Sequence, residues 1–212
     1  MFDLYLITPE RPPVAILETL RRALVDLPPG RVAVQLRAPQ LASEERRELA
    51  RALRELTKAR GAELLISADL ALARAIGADG VQLPERGPTP AQARALLGLE
   101  ALIGASRHDL HGLRAAHADG ADFATLSPVL AVPDKGAPLG VQGFAAIVRD
   151  APLPVLALGG VTPEQVEPLM GAGAHGIALV RAVADADDPS SALHALLEQL
   201  TSRHNPATRL QS

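Results

Sequence analysis

Ala118-Asp119-Gly120-Ala121-Asp122 closes a helical stretch on a glycine and runs directly into the apolar segment Asp122–Ser127. The same joint recurs as Ile76-Gly77-Ala78-Asp79-Gly80 ahead of Gly80–Leu83, and as Ala172-Gly173-Ala174-His175-Gly176 ahead of Gly176–Val180. A glycine just past a helix lets the chain turn through the left-handed region, so each copy reads as a helix stop followed at once by a strand. Three copies of one joint predict one repeated βα unit.

Working outward from these joints, short runs rich in Val, Ile and Leu fall at Leu4–Ile7, Val32–Arg37, Glu63–Ser67, Gly80–Leu83, Ala101–Ala105, Asp122–Ser127, Val155–Leu158 and Gly176–Val180. Helical spacing fills 14–27, 43–59, 69–76, 90–97, 110–118, 141–150, 163–171 and 189–203. Strict alternation of strand and helix forces a parallel sheet by right-handed crossovers. The expectation is a single α/β domain, a (β/α)8 TIM barrel over 1–203, followed by a frayed polar tail at 204–212. Helix starts are marked by Thr89-Pro90-Ala91-Gln92 and Thr162-Pro163-Glu164-Gln165, each with a hydroxyl cap, Pro at the first position and Gln at the third, and by Asp188-Pro189.

Composition agrees with that architecture. A chain of 212 residues suits one domain near the short end of this fold. With three Phe, one Tyr and no Trp, the 48% hydrophobic fraction predicts an aliphatic core. A net charge of −3 and few aromatic residues argue against nucleic acid as a partner. Absence of cysteine excludes disulfide and thiol chemistry. The start MFDLYLITPE has neither the basic start nor the apolar run of a signal peptide, and no stretch is long enough to span a bilayer, so a cytoplasmic protein without membrane association is expected.

In barrels of this class the site faces the C-terminal ends of the strands. That rule selects Thr8, Gln35, Arg37, Ser67, Gln82, Ser106, His108, Ser127, Gly159, Gly160 and Arg181. The two glycines, followed by the helix start at Thr162, let backbone N–H groups approach an anion, and with Val180 and Arg181 after the last strand they form the expected phosphate site. Arg37 ends an apolar strand and is expected to face a ligand rather than a structural ion pair. The candidate catalytic residues are Ser106, His108 as an acid or base, and Lys135, which sits in the irregular segment 129–140, the expected flap over the site. Asp69 is expected to begin a helix, and no carboxylates stand together as a metal site should have them.

The ordered phrases Leu4-Tyr5-Leu6-Ile7-Thr8, Val34-Gln35-Leu36-Arg37, Ala78-Asp79-Gly80-Val81-Gln82-Leu83-Pro84, Ile103-Gly104-Ala105-Ser106, Ala121-Asp122-Phe123-Ala124-Thr125-Leu126-Ser127-Pro128-Val129, Ala157-Leu158-Gly159-Gly160-Val161 and Gly176-Ile177-Ala178-Leu179-Val180 together resemble the thiamine phosphate synthase/TenI superfamily from Leu4 to about Val183. The resemblance implies thiamine biosynthesis: condensation of a pyrimidine carried on diphosphate with a thiazole phosphate, using Mg²⁺ and releasing pyrophosphate. It implies that Arg37 and Lys135 hold the diphosphate and that Ser106 lies near the pyrimidine. The chain departs from the synthase pattern at Pro39, where a lysine is expected, at Ser67-Ala68, where Asn-Asp is expected, and at Gly87, where a second metal-binding carboxylate is expected. Gln82-Leu83-Pro84 is similar to the TenI branch, which isomerises the thiazole phosphate, although Pro128 stands where that branch carries its histidine. His108 would then be the proton carrier. A barrel that binds a phosphorylated ligand without turning it over is the non-enzymatic alternative, and a homo-oligomer is compatible with every reading.

Overall fold

The computed structural model describes residues 1–133 and 135–201. The tail expected at 204–212 lies outside the described residues. The elements alternate without exception: β1 (Leu4–Ile7), α1 (Pro13–Ala23), β2 (Val32–Leu36), α2 (Ser43–Arg60), β3 (Glu63–Ser67), α3 (Leu70–Ile76), β4 (Gly80–Leu83), α4 (Pro90–Leu97), β5 (Leu102–Arg107), α5 (Leu110–Ala118), β6 (Phe123–Leu126), α6 (Gly140–Val148), β7 (Val155–Leu158), α7 (Pro163–Gly171), β8 (Gly176–Leu179) and α8 (Pro189–Thr201). The eight parallel strands close in sequence order, with β8 paired to β1, and the expected barrel is what forms.

The repeated joints do what their glycines require. Gly77, Gly120 and Gly173 have φ of 61°, 92° and 98°, and the residue just before each following strand donates its N–H to the start of the previous strand. These bonds are Asp79 to the Leu64 carbonyl at 2.9 Å, Asp122 to Ile103 at 2.8 Å and His175 to Val155 at 2.8 Å. Two of the joints add a side-chain stitch. Asp79 accepts from the Leu64 N–H at 2.7 Å and pairs with Arg54 at 2.6 Å, while Asp122 accepts from Ile103 N–H at 2.7 Å and pairs with Arg94 at 2.8 Å.

Alternation along each strand sends one set of side chains outward, against the helices, and the other into the barrel. The outward set (Leu4, Leu6, Val34, Leu64, Val81, Ile103) joins the helices in one aliphatic layer. The inward set corrects the expectation of a purely aliphatic core, because Phe2, Tyr5 and Phe123 fill the lower barrel with ring centroids 5.1–5.8 Å apart. Small residues on the facing strands leave the volume for these rings: Ala33, Gly104 and Ala178. Gly176 is packed so tightly that a Cβ would lie 2.1 Å from the Asp3 carbonyl oxygen.

Element boundaries shift at three places for local reasons. α1 ends at Ala23 instead of near 27, because Asp26 takes a positive φ of 50° ahead of Pro28-Pro29. β5 runs two residues further than the apolar run suggests, so Ser106 lies within it and not after it. Thr89 forms the full capping box with Gln92, whereas the Thr162 hydroxyl accepts no backbone N–H of α7 and donates to Glu164 at 2.6 Å.

Gly176→Ala should destabilise the fold by about 1–3 kcal/mol in urea denaturation, since the added carbon meets immovable backbone, while Gly136→Ala, with open space around it, should change nothing. At the foot of β3, burial and then the neighbouring Asp79 carboxylate raise the Glu63 pKa. Its ionised form therefore costs the folded state stability, and the cost appears as pH rises through the folded pKa. Glu63→Gln should raise the melting temperature near neutral pH, and that gain should vanish below about pH 4.

Candidate functional site

Strands β2 to β6 end in polar residues that alternation turns into the barrel. Their parallel register sets Gln35 beside Leu65, Ser67 beside Gln82, Gln82 beside Gly104 and Ser106 beside Thr125. Gln35, Gln82 and Thr125 are buried, whereas Ser67 and Ser106 are half-buried. The amide of Gln82 donates to Ser106 Oγ at 2.9 Å and to Thr125 Oγ1 at 3.3 Å, and its carbonyl accepts from the Tyr5 hydroxyl at 3.4 Å. Thr125 was not among the expected site residues. Inward alternation from Phe123 is the signal that finds it.

At the rim, buried Thr8 bridges β1 to β2 by accepting from the Arg37 N–H at 2.9 Å and donating to the Arg37 carbonyl at 3.1 Å. This clasp sets where the Arg37 side chain leaves the barrel. The guanidinium is about half exposed and meets Glu10 at 2.9 Å, so the structure shows the ion pair that the sequence reading ranked behind a ligand contact. His108 follows β5 directly, and its Nδ1 is 2.6 Å from the Ser127 carbonyl oxygen. Since a carbonyl only accepts, Nδ1 carries the proton, and Nε2 of the neutral ring is left as an acceptor, 3.9 Å from Glu85. Arg107, between Ser106 and His108, was missed. It turns outward, is buried, and donates to the Gly112 carbonyl at 3.2 Å and the Ser106 carbonyl at 2.8 Å, with its pKa lowered by desolvation.

After β7, Gly159 and Gly160 adopt φ of 99° and 68°, where a side chain would be strained. They also have a packing reason to be glycine. A Cβ on Gly159 would lie 2.9 Å from Pro128 Cα, and one on Gly160 would lie 2.8 Å from the Ala131 carbonyl oxygen. The segment after β6 is docked here, with Val129 N–H donating to Leu158 and Leu130 N–H to Gly159, both at 2.9 Å. The N–H groups of Gly160 and Arg181 take no backbone acceptor among the described residues. Val180 and Arg181 are exposed beside them, and Lys135 is exposed in the loop between β6 and α6.

The donor set does not fit a divalent cation. Among the described residues no group of three or more His, Asp or Glu side chains is placed to hold a metal. Ser67-Ala68 and Gly87 offer no carboxylate, and two of the acids nearby are engaged: Asp69 caps α3 through the Leu72 N–H at 2.9 Å and pairs with Arg46 at 3.2 Å, and Glu10 holds Arg37. Ala68 nonetheless keeps a φ of 61°, a conformation that Asn and Asp tolerate better than alanine.

Comparison with known proteins identifies the family. The family profile described as thiamine monophosphate synthase (TMP-TENI) matches residues 4–183. A putative thiamine-phosphate synthase of Geobacter sulfurreducens is 42% identical over 205 residues, spanning 95% of this chain and 96% of that protein. A thiamine-phosphate synthase of Moorella thermoacetica is 35% identical over 188 residues, 87% and 88% of the two chains. The solved thiamine phosphate pyrophosphorylase of Pyrococcus furiosus superposes with a TM-score of 0.83 at 29% identity, covering 95% of this chain and 96% of that one. No helix among the described residues is long and apolar enough to cross a membrane.

Thr8→Val should cost about 1–3 kcal/mol in urea denaturation, because it leaves the Arg37 N–H without its partner.

Proposed function

This chain belongs to the thiamine monophosphate synthase family, and from that premise we propose that it joins a pyrimidine carried on diphosphate to a thiazole phosphate at the C-terminal mouth of its barrel. The observation that carries the reading is the likeness to thiamine-phosphate synthases along nearly the whole chain. The polar ends of five adjacent strands, facing one mouth beside the glycine turn, are the chemistry that such substrates need.

In this reading the thiazole phosphate rests on the N–H groups around Gly159 and Gly160, with Val180 beside it and Arg181 adding a charge-assisted contact. Gln35, Ser67, Ser106 and Ser127 line the cavity that takes the rings, with the buried Gln82 beneath Ser106. Arg37 and Lys135 meet the diphosphate. To do so Arg37 has to leave Glu10, and an exposed pair of this kind is worth only about 0–1 kcal/mol, so the exchange is cheap. The bond from the pyrimidine methylene carbon to the diphosphate oxygen breaks, the diphosphate keeps the electron pair, and the thiazole nitrogen then donates its lone pair to the resulting cation. The products are thiamine phosphate and pyrophosphate.

Mg²⁺ is the ion the family resemblance implies, and the residues in the matching positions do not supply its ligands. Stabilisation of the leaving pyrophosphate by this chain's own residues rests on the two cationic side chains, Arg37 and Lys135.

A second reading is favoured by one contact. The bond from His108 Nδ1 to the Ser127 carbonyl fixes the tautomer that leaves Nε2 able to take a proton, as ring isomerisation of a thiazole phosphate would require.

Turnover with both substrates and Mg²⁺ should yield thiamine phosphate and pyrophosphate, and Arg181→Ala should weaken thiazole phosphate binding about tenfold. No product at high protein concentration, together with isomerisation of the thiazole phosphate that His108→Ala abolishes, would replace the first reading with the second. Tight binding with neither reaction would leave a phosphate-ligand-binding barrel.

A further inference from the structure

The Gln82 amide has two possible orientations, and its buried neighbours decide between them. Tyr5 is completely buried, and burial pushes its pKa well up, so the phenol stays a neutral O–H. Among the described residues its one hydrogen-bond partner is Gln82 Oε1. Reversing the amide would turn the NH₂ group toward the phenol oxygen and leave the phenol proton buried without an acceptor, a costly arrangement. The carbonyl oxygen therefore faces Tyr5, in a space kept open by Gly104, where a Cβ would lie 2.2 Å from that oxygen.

Direction then propagates. Both protons on Gln82 Nε2 are used, one on Ser106 Oγ and one on Thr125 Oγ1. Thr125, already accepting from Gln82, donates to Ser106 Oγ at 3.4 Å. Ser106 thus receives two protons from below, and its own has no acceptor within the group. Ser106 is also the one member that is not fully buried, so its proton points to the mouth.

We propose that Tyr5, Gln82 and Thr125 form a one-way hydrogen-bond relay that makes Ser106 a donor toward the ligand, so that the site selects a heteroaromatic ring presenting an unprotonated nitrogen at this point. The three are positioning residues, and only Ser106 touches the ligand. The choice of a pyrimidine as that ring rests on the function proposed above, whereas the direction of the relay does not.

Two measurements separate these claims. In the ligand-free protein, nuclear Overhauser contacts from the Gln82 side-chain NH₂ protons should reach Ser106 and Thr125, and contacts to the Tyr5 ring instead would overturn the relay. For specificity, 4-amino-5-hydroxymethyl-2-methylpyrimidine is compared by calorimetry with its two analogues in which one ring nitrogen is replaced by CH. One analogue should bind about tenfold more weakly than the pyrimidine, the loss expected when a donor is left unpaired. That ratio should collapse toward one in Tyr5→Phe, which frees the amide to reverse and draws the Ser106 proton inward. A merely structural role for Tyr5 would weaken all three compounds equally and keep the ratio, which sinks the selectivity claim, as does failure of the wild-type protein to bind any of them. If the relay and the ring selectivity hold while no condensation occurs, the fault lies with the proposed reaction and not with the relay.

Discussion

A closed barrel of eight parallel strands has an inside that must be filled, and every strand shares the task by the same alternation. Here the filling is divided by height. Three aromatic rings take the lower interior, and Gly104 makes room for them, since a Cβ there would lie 2.4 Å from the Phe123 ring. Above the rings the inward positions turn polar, from Gln35 round to Thr125. The aromatic plug and the polar mouth are joined through Tyr5, whose ring belongs to the first and whose hydroxyl reaches Gln82 in the second. Core packing and the chemistry of the site are therefore mechanically one object, and Gly104 serves both by clearing space for the Phe123 ring and the Gln82 amide.

Charge at the mouth is arranged differently from charge at the foot. At the foot, Asp79 and Asp122 each combine a backbone hydrogen bond with an arginine partner, so their carboxylates hold neighbouring strands together. At the mouth the carboxylates are half-exposed and loosely committed, as in Glu10 with Arg37. Exposed pairs of this kind contribute little to stability and exchange partners easily. A ligand bringing its own negative charge competes with Glu10 for Arg37 at little cost, whereas replacing Asp79 would unpick a strand.

Local chemistry made much of this legible in the amino-acid sequence. The joints at Gly77, Gly120 and Gly173 placed strands and helices correctly because the turn they make is set by a residue's own backbone freedom. The capping box at Thr89 was readable for the same reason, and the glycine pair after β7 was legible as a special turn. What escaped were choices of side-chain partner, near and far along the chain. Thr162 has the spacing of a cap but gives its proton to Glu164, and Arg37 looked solitary until the loop after β1 brought Glu10 alongside it. Four aromatic residues among 212 gave no sign of a cluster, yet three of them meet inside the barrel, two from the N-terminus and one from the middle of the chain. β5 outlasts its apolar run, so Ser106 lies in the strand and not after it, and Thr125, inside the expected sixth strand, is found only by alternation inward from Phe123.

The two halves of the mouth differ in what they are made of, and that difference explains their different states. The half after β7 is built from backbone. Gly159 and Gly160 are held to glycine twice, by positive φ and by the segment from Pro128 to Ala131 pressed against them, so the N–H groups that the proposed function gives to a phosphate come with the packing of the fold. The half near β3 and β4 would have to be built from side chains at positions that the fold leaves free. Pro39, Ala68 and Gly87 are all exposed, and nothing in the barrel demands a lysine or a carboxylate there. Only the positive φ of Ala68 retains a preference, and it favours the residue types that a metal site would use. A backbone site persists for as long as the barrel does, whereas a side-chain site can be emptied one residue at a time without the fold registering the loss.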